Sequence, residues 1–158
     1  NIIPDTVELQ GTIRALAPDQ RERLHETVRE TAVAVAQGVG ARAEVTIRRG
    51  YPVTWNDPEL VERIRPSLAR VAGDGLVRGL PRTGAEDFAF LAREVPGVYF
   101  WLGIREPGVP EEEAAPNHSP RFVIDESALP LGVRALSHVA IDFLAAGAGA
   151  QGDAPAGG

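Results

Sequence analysis

Val7-Glu-Leu-Gln-Gly-Thr-Ile-Arg14 and Ala43-Glu-Val-Thr-Ile-Arg48 stand on either side of a helix-patterned run from Pro18 to Val39. In the first segment Val7, Leu9 and Ile13 alternate with Glu8, Gln10, Thr12 and Arg14, the period of a strand with one buried face. Gly11 falls on the apolar side and weakens the pattern. In the second, Ala43, Val45 and Ile47 alternate with Glu44, Thr46 and Arg48. Between them, Pro18 suits a first helical turn. Leu24, Val28, Ala32, Val35 and Val39 recur at steps of three or four, while Arg21, Glu22, Arg29 and Glu30 face water. Gly38 and Gly40 end the helix. A strand, a helix and a strand make about half of a ferredoxin-like unit. Two strands alone are marginal, so the pattern implies neighbours from elsewhere.

The flanks extend this reading. Upstream, Asn1-Ile2-Ile3-Pro4-Asp5 reads as the middle of a sheet-forming region, and the chain contains no Met. A piece of a longer protein is the expectation. Downstream, Tyr51-Pro52 to Asn56-Asp57-Pro58 is turn-rich, and a domain boundary is expected between residues 53 and 54. Asp57 and Pro58 read as an N-cap and first helical residue. Leu60, Val61, Ile64, Leu68 and Val71 then line one face, and Pro66 should kink or cut that helix. A short strand is expected near Leu76 to Leu80, then a helical turn or two after Gly84 carrying Phe88 and Leu91. Val98 to Leu102 has no polar alternation and reads as a buried strand. A polar loop over residues 105–117 delivers His118-Ser119-Pro120. The last helix is expected to turn Leu129, Val133, Leu136, Ala140 and Phe143 inward. Residues 146–158, all small or polar, read as a disordered tail.

Composition narrows the function. The 158 residues are 44% hydrophobic, enough for an ordinary core. The formal net charge is −6 and no basic run appears, so neither nucleic acid nor an anionic membrane surface is an expected partner. The apolar stretches read as short of a membrane span. Cysteine is absent, which excludes a thiolate metal site and a disulfide framework and fits a cytoplasmic protein.

Few residues can carry chemistry. His118 leaves its loop at a defined point, where an imidazole serves either as a ligand for a divalent metal or as an ordinary loop histidine. One histidine is not a metal site, since catalytic zinc takes about three protein ligands. His25 and His138 read as partly exposed helix histidines. Glu86 and Asp87 open a helix, where they either cap backbone N–H groups or face a cation. Arg14 is either a solvated strand charge or a planar fork for a carboxylate. Asn1 is a turn residue or a paired hydrogen-bond donor.

Read in order, Asn1-Ile-Ile-Pro-Asp, Gly11-Thr-Ile-Arg14, Gly84-Ala-Glu-Asp-Phe88, Pro96-Gly97, His118-Ser-Pro-Arg-Phe122 and Leu131-Gly-Val133 resemble one family. It is the dinuclear-metal amidohydrolases that include hippurate hydrolases, N-acyl-L-amino-acid amidohydrolases and indoleacetyl-amino-acid hydrolases. The resemblance covers about residues 1–145. It implies an α/β fold in which residues 1–53 are the later part of a ferredoxin-like lid or dimerisation domain. Residues 54–145 would then be the C-terminal part of the catalytic domain. It also implies two divalent metal ions (zinc, manganese or cobalt) with His118 as the last ligand, and Asn1 and Arg14 as the grip on the substrate's carboxylate. Glu86 and Asp87 fall near the metal site without an assigned role. The expected substrate is an N-acyl amino acid, and the expected assembly a homodimer through the lid. Asn117 departs from the pattern, which more often has an apolar residue there. The remaining ligands, the catalytic glutamate and a lid histidine have no counterpart in these residues, so the chain alone should be inactive. A non-catalytic dimerisation or binding module is the alternative. An aminopeptidase would need a site for a free amine, which Arg14 argues against.

Overall fold

The computed structural model describes residues 2–149. Among them four helices form: α1 (Pro18–Gly38), α2 (Pro58–Ala72), α3 (Phe88–Glu94) and α4 (Leu129–Gly149). The chain divides into two compact units. One holds the described residues of Asn1–Trp55 with Leu80–Val95, the other those of Asn56–Gly79 with Pro96–Gly158.

The expected strands are not formed. No strand is assigned among the described residues, so the α/β expectation gives way there to helices joined by irregular segments. The reason lies in pairing. A strand exists only as one side of a ladder, and no backbone hydrogen bond joins residues 7–14 to residues 43–48. In a split strand–helix–strand unit the two strands flank a third instead of pairing with each other. Ala43, Val45 and Ile47 keep the alternation, being half-buried between exposed neighbours. Val7 and Leu9 stay almost fully exposed.

In the first unit, α1 begins at Pro18 and ends where the sequence places its glycines. Gly40, at φ +74°, donates to Gln37 and makes the left-handed exit that a side chain would resist. The inward face differs from the expected one. Arg21, Ala32, Val33 and Ala36 are half-buried and His25 is buried, while Leu24, Val28, Val35 and Val39 face outward. The helix is thus turned by about one residue, and His25 is not the partly exposed histidine expected. Ala89 of α3 is fully buried, and Phe90 packs against Tyr51 with ring centroids 5.6 Å apart.

In the second unit, Asp57 caps α2 as expected, its carboxylate accepting from Leu60 N at 2.8 Å. Pro66 does not cut the helix, which runs unbroken to Ala72. The carbonyl freed by its missing N–H belongs to Glu62, an exposed residue. Ile64 and Ser67 are buried on this helix. Asn56 replaces a strand neighbour for residue 99: its amide donates to Tyr99 O at 2.8 Å, and its oxygen accepts from Tyr99 N at 2.7 Å. Residues 98–102 are therefore tied down without a sheet, with Trp101 exposed.

Helix α4 packs on α2. Asp142 accepts from Ser67 and Arg70 of α2. Arg63 donates to Phe143 O at 3.2 Å and stacks 3.8 Å from the Phe143 ring centroid. Ala135 is buried, and Gly132 lies so near Leu102 that a Cβ there would fall 2.8 Å from Leu102 Cδ2. The packed side of α4 is thus Ala135, Val139 and Asp142, with Gly132 against Leu102, whereas Leu129, Val133, Leu136 and Ala140, expected inside, are exposed, and Phe143 lies partly covered by Arg63. Helix α4 also extends through residues 146–149, which the sequence reading gave to a disordered tail, and residues 150–158 lie outside the described residues. The expectation that the apolar stretches fall short of a membrane span is corrected as well. Glu126–Gly147 is long and apolar enough, by length and composition, to cross a bilayer, though it contains Arg134 and the paired Asp142.

Candidate functional site

His118 occupies the most constrained backbone position of the second unit. It is the sole non-glycine residue with positive φ among the described residues, at +69°. The strain has a local cause. Ser119 N donates to Pro116 O at 3.2 Å, closing a turn over Asn117 and His118, and Phe122 N donates to Ser119 O at 3.0 Å to close the next. In the type II form of such a turn the third residue takes positive φ, which glycine or asparagine normally supplies. A histidine held there at a cost of about 1–2 kcal/mol is a functional pointer, since strain of this kind persists where the surroundings over-determine it. Its imidazole is exposed at the surface of the loop.

Arg14 lies in the first unit, exposed. One terminal nitrogen, Nη1, donates to Thr83 O at 2.7 Å, 69 residues along the chain. Among the described residues no carboxylate pairs with it. Its charge is therefore available to an anion from solution. Asn1 lies outside the described residues.

Glu86 is half-buried and Asp87 exposed, just before α3. Capping does not occupy them: Asp87 stands at the cap position with helical backbone angles and makes no side-chain cap bond. The turn is closed by main chain instead, Ala89 N donating to Glu86 O and Phe90 N to Asp87 O. Glu86 folds back toward Gly84, its Oε1 3.8 Å from where a Cβ of residue 84 would stand. Thr83, whose carbonyl takes Arg14, has no signal in the sequence, because a backbone acceptor looks the same at every residue.

The donor set does not build a metal centre. Among the described residues no three His, Asp or Glu side chains gather to hold an ion. An exposed imidazole on a fixed turn fits one ligand position and no more.

Comparison with known proteins agrees with the order of the motifs. The profile of peptidase family M20/M25/M40 matches residues 4–142. Thermostable carboxypeptidase 2 of Saccharolobus solfataricus is 37% identical over 146 residues, which are 90% of this chain and 36% of that protein. N-acetyldiaminopimelate deacetylase of Streptococcus suis is 34% identical over 91% of this chain and 36% of its own length. N-acetylcysteine deacetylase of Bacillus subtilis is 31% identical, with the same two shares, 91% and 36%. The chain thus spans about a third of the length of the curated relatives it matches. No solved structure matches it significantly. The resemblance read from the motifs holds: with a match reaching from Pro4 to Asp142, the chain belongs to peptidase family M20/M25/M40.

Proposed function

We propose that this chain is the later part of a metal-dependent hydrolase that cleaves the amide bond of N-acyl amino acids, and that it is inactive by itself. The observation that carries the substrate class is Arg14, a fixed guanidinium with no carboxylate partner in its own unit. The relatives' names agree in one chemical respect. A carboxypeptidase, an N-acetyldiaminopimelate deacetylase and an N-acetylcysteine deacetylase all act on an amide or peptide bond beside an amino-acid carboxylate. A planar fork selects such a carboxylate by paired, charge-assisted hydrogen bonds and discriminates against internal peptide bonds. N-acyl amino acids of the hippurate type, with an aromatic acyl group, are the finer proposal. Asn1 would assist the same grip.

His118 would supply one ligand to a centre of two divalent ions, zinc, manganese or cobalt, whose other ligands come from outside these residues. When bound, such ions lower the pKa of water and make hydroxide available near neutral pH. This chain's own share is to hold a ligand on a rigid turn and to orient the substrate by its carboxylate. Dimerisation through residues 1–53 belongs to the same proposal.

The test compares the full-length protein with the isolated chain on N-benzoylglycine, N-acetyl amino acids and their carboxamides. The full-length protein should hydrolyse the acids in a metal-dependent way, and the isolated chain should hydrolyse none. Arg14→Ala should cost about 2–4 kcal/mol in transition-state binding for the acids and little for the carboxamides. A full-length protein that binds metal and N-acyl amino acids without cleaving them would favour the non-catalytic module.

A further inference from the structure

The Arg14 to Thr83 bond shows more than where the guanidinium lies. It joins a segment at the start of the chain to the loop just before α3, within one compact unit. Only Nη1 is used. In a guanidinium, Nη1 is the terminal nitrogen on the side of Cδ, so a bond there leaves the Nε–Nη2 edge whole. That edge carries two parallel N–H groups, the geometry of a side-on bidentate carboxylate pair.

The nature of the partner matters as much as its position. Glu86 and Asp87 stand three and four residues beyond Thr83, yet neither pairs with Arg14, and Glu86 folds back over Gly84. A carboxylate partner would neutralise the guanidinium and compete with an incoming anion. A neutral carbonyl fixes the side chain and leaves its full charge for a ligand. It also lowers the cost of ordering a flexible arginine, which otherwise falls on the binding step.

We propose that the backbone carbonyl of Thr83 is the positioning group for Arg14: it takes Nη1–H and so presents the Nε–Nη2 edge to the substrate's carboxylate. This makes the segment before α3 part of substrate recognition. The proposal rests on the reading of Arg14 as the carboxylate grip, and it is separable from it.

The test removes the acceptor strength and no side chain. In the full-length protein the Thr83–Gly84 amide is converted to an ester by placing glycolic acid at position 84, since an ester carbonyl is a weaker acceptor. The N–H lost in this change is silent, because Gly84 N donates no backbone hydrogen bond among the described residues. KM for N-benzoylglycine should rise about threefold to tenfold, with kcat little changed. KM for its carboxamide should not move, and the ester should add nothing in an Arg14→Ala background. Metal content should stay constant throughout. Equal changes for acid and carboxamide, or no change for the acid while Arg14→Ala still discriminates, would overturn the Thr83 proposal and leave the Arg14 reading standing. If Arg14→Ala treats acid and carboxamide alike, both readings fall.

Discussion

His118 joins two demands that usually conflict. An imidazole is wanted for its nitrogen lone pair, but at φ +69° a side chain is strained, and glycine would be the relaxed choice. Two substitutions separate these demands. In the full-length protein His118→Ala should keep the strain, lose one metal ligand and reduce activity more than a hundredfold. His118→Gly should lose the ligand equally while the Tm holds or rises, by the equivalent of up to about 1 kcal/mol. Metal analysis and calorimetry on the two variants give the answer. Unchanged metal content in His118→Gly would return the residue to an ordinary loop histidine. The sequence could show the His-Ser-Pro motif but not the left-handed backbone, because φ is set by the turn from Pro116 to Ser119 that encloses the residue. Thr83 was invisible for a related reason: its contribution is a carbonyl, and only tertiary proximity distinguishes that carbonyl from any other.

At the level of elements, helix limits were legible and helix faces were not. Pro18, Gly40, Asp57 and Pro58 act through the main chain next to them, so their signals survive without tertiary context. The inward faces of α1 and α4 depend on what lies opposite. Both helices carry apolar or small residues around much of their circumference, so periodicity alone admits more than one face. In α4 the choice falls to Asp142, which must meet Ser67 and Arg70. The hydrogen bond from Ser67 and then that from Arg70, helped by the charges of Arg70 and of His138 one turn away, hold its carboxyl below the ordinary value of 3.8. The sign follows from linkage. A depressed folded pKa contributes stability that is present above the unfolded value and is lost as pH falls through the folded one. In the full-length protein Asp142→Asn should therefore lower the Tm at pH 7, and the gap from wild type should narrow in melts taken below pH 3.8. A gap independent of pH would mean that the ionised carboxylate is not what ties α4 to α2.

At the largest scale, the described residues form only a small core. Among the described residues only Ile64, Ala89 and Ala135 are buried apolar side chains. Two sets of apolar side chains that the sequence led one to expect inside are exposed: Val7 and Leu9 of segment 7–14, and the outer stripe of α4, Leu129, Val133 and Leu136. Among the described residues the segments patterned for a sheet have no ladder, and α4 leaves an apolar stripe exposed. Both fit the proposal that residues outside this chain cover them in a longer protein. Purified alone, the chain should therefore bind a hydrophobic dye such as anilinonaphthalene sulfonate, self-associate with concentration, and melt over a broad range without one cooperative transition. A thiol placed by Leu136→Cys reports the missing contact directly, since the chain has no other cysteine. It should react with a maleimide at the rate of a free thiol in the isolated chain and be protected at least tenfold in the full-length protein, roughly what about 1.4 kcal/mol of local closure confers. A dye-silent, monomeric chain with a sharp two-state melt would show that these residues form a complete domain, and the outer face of α4 would then need another explanation.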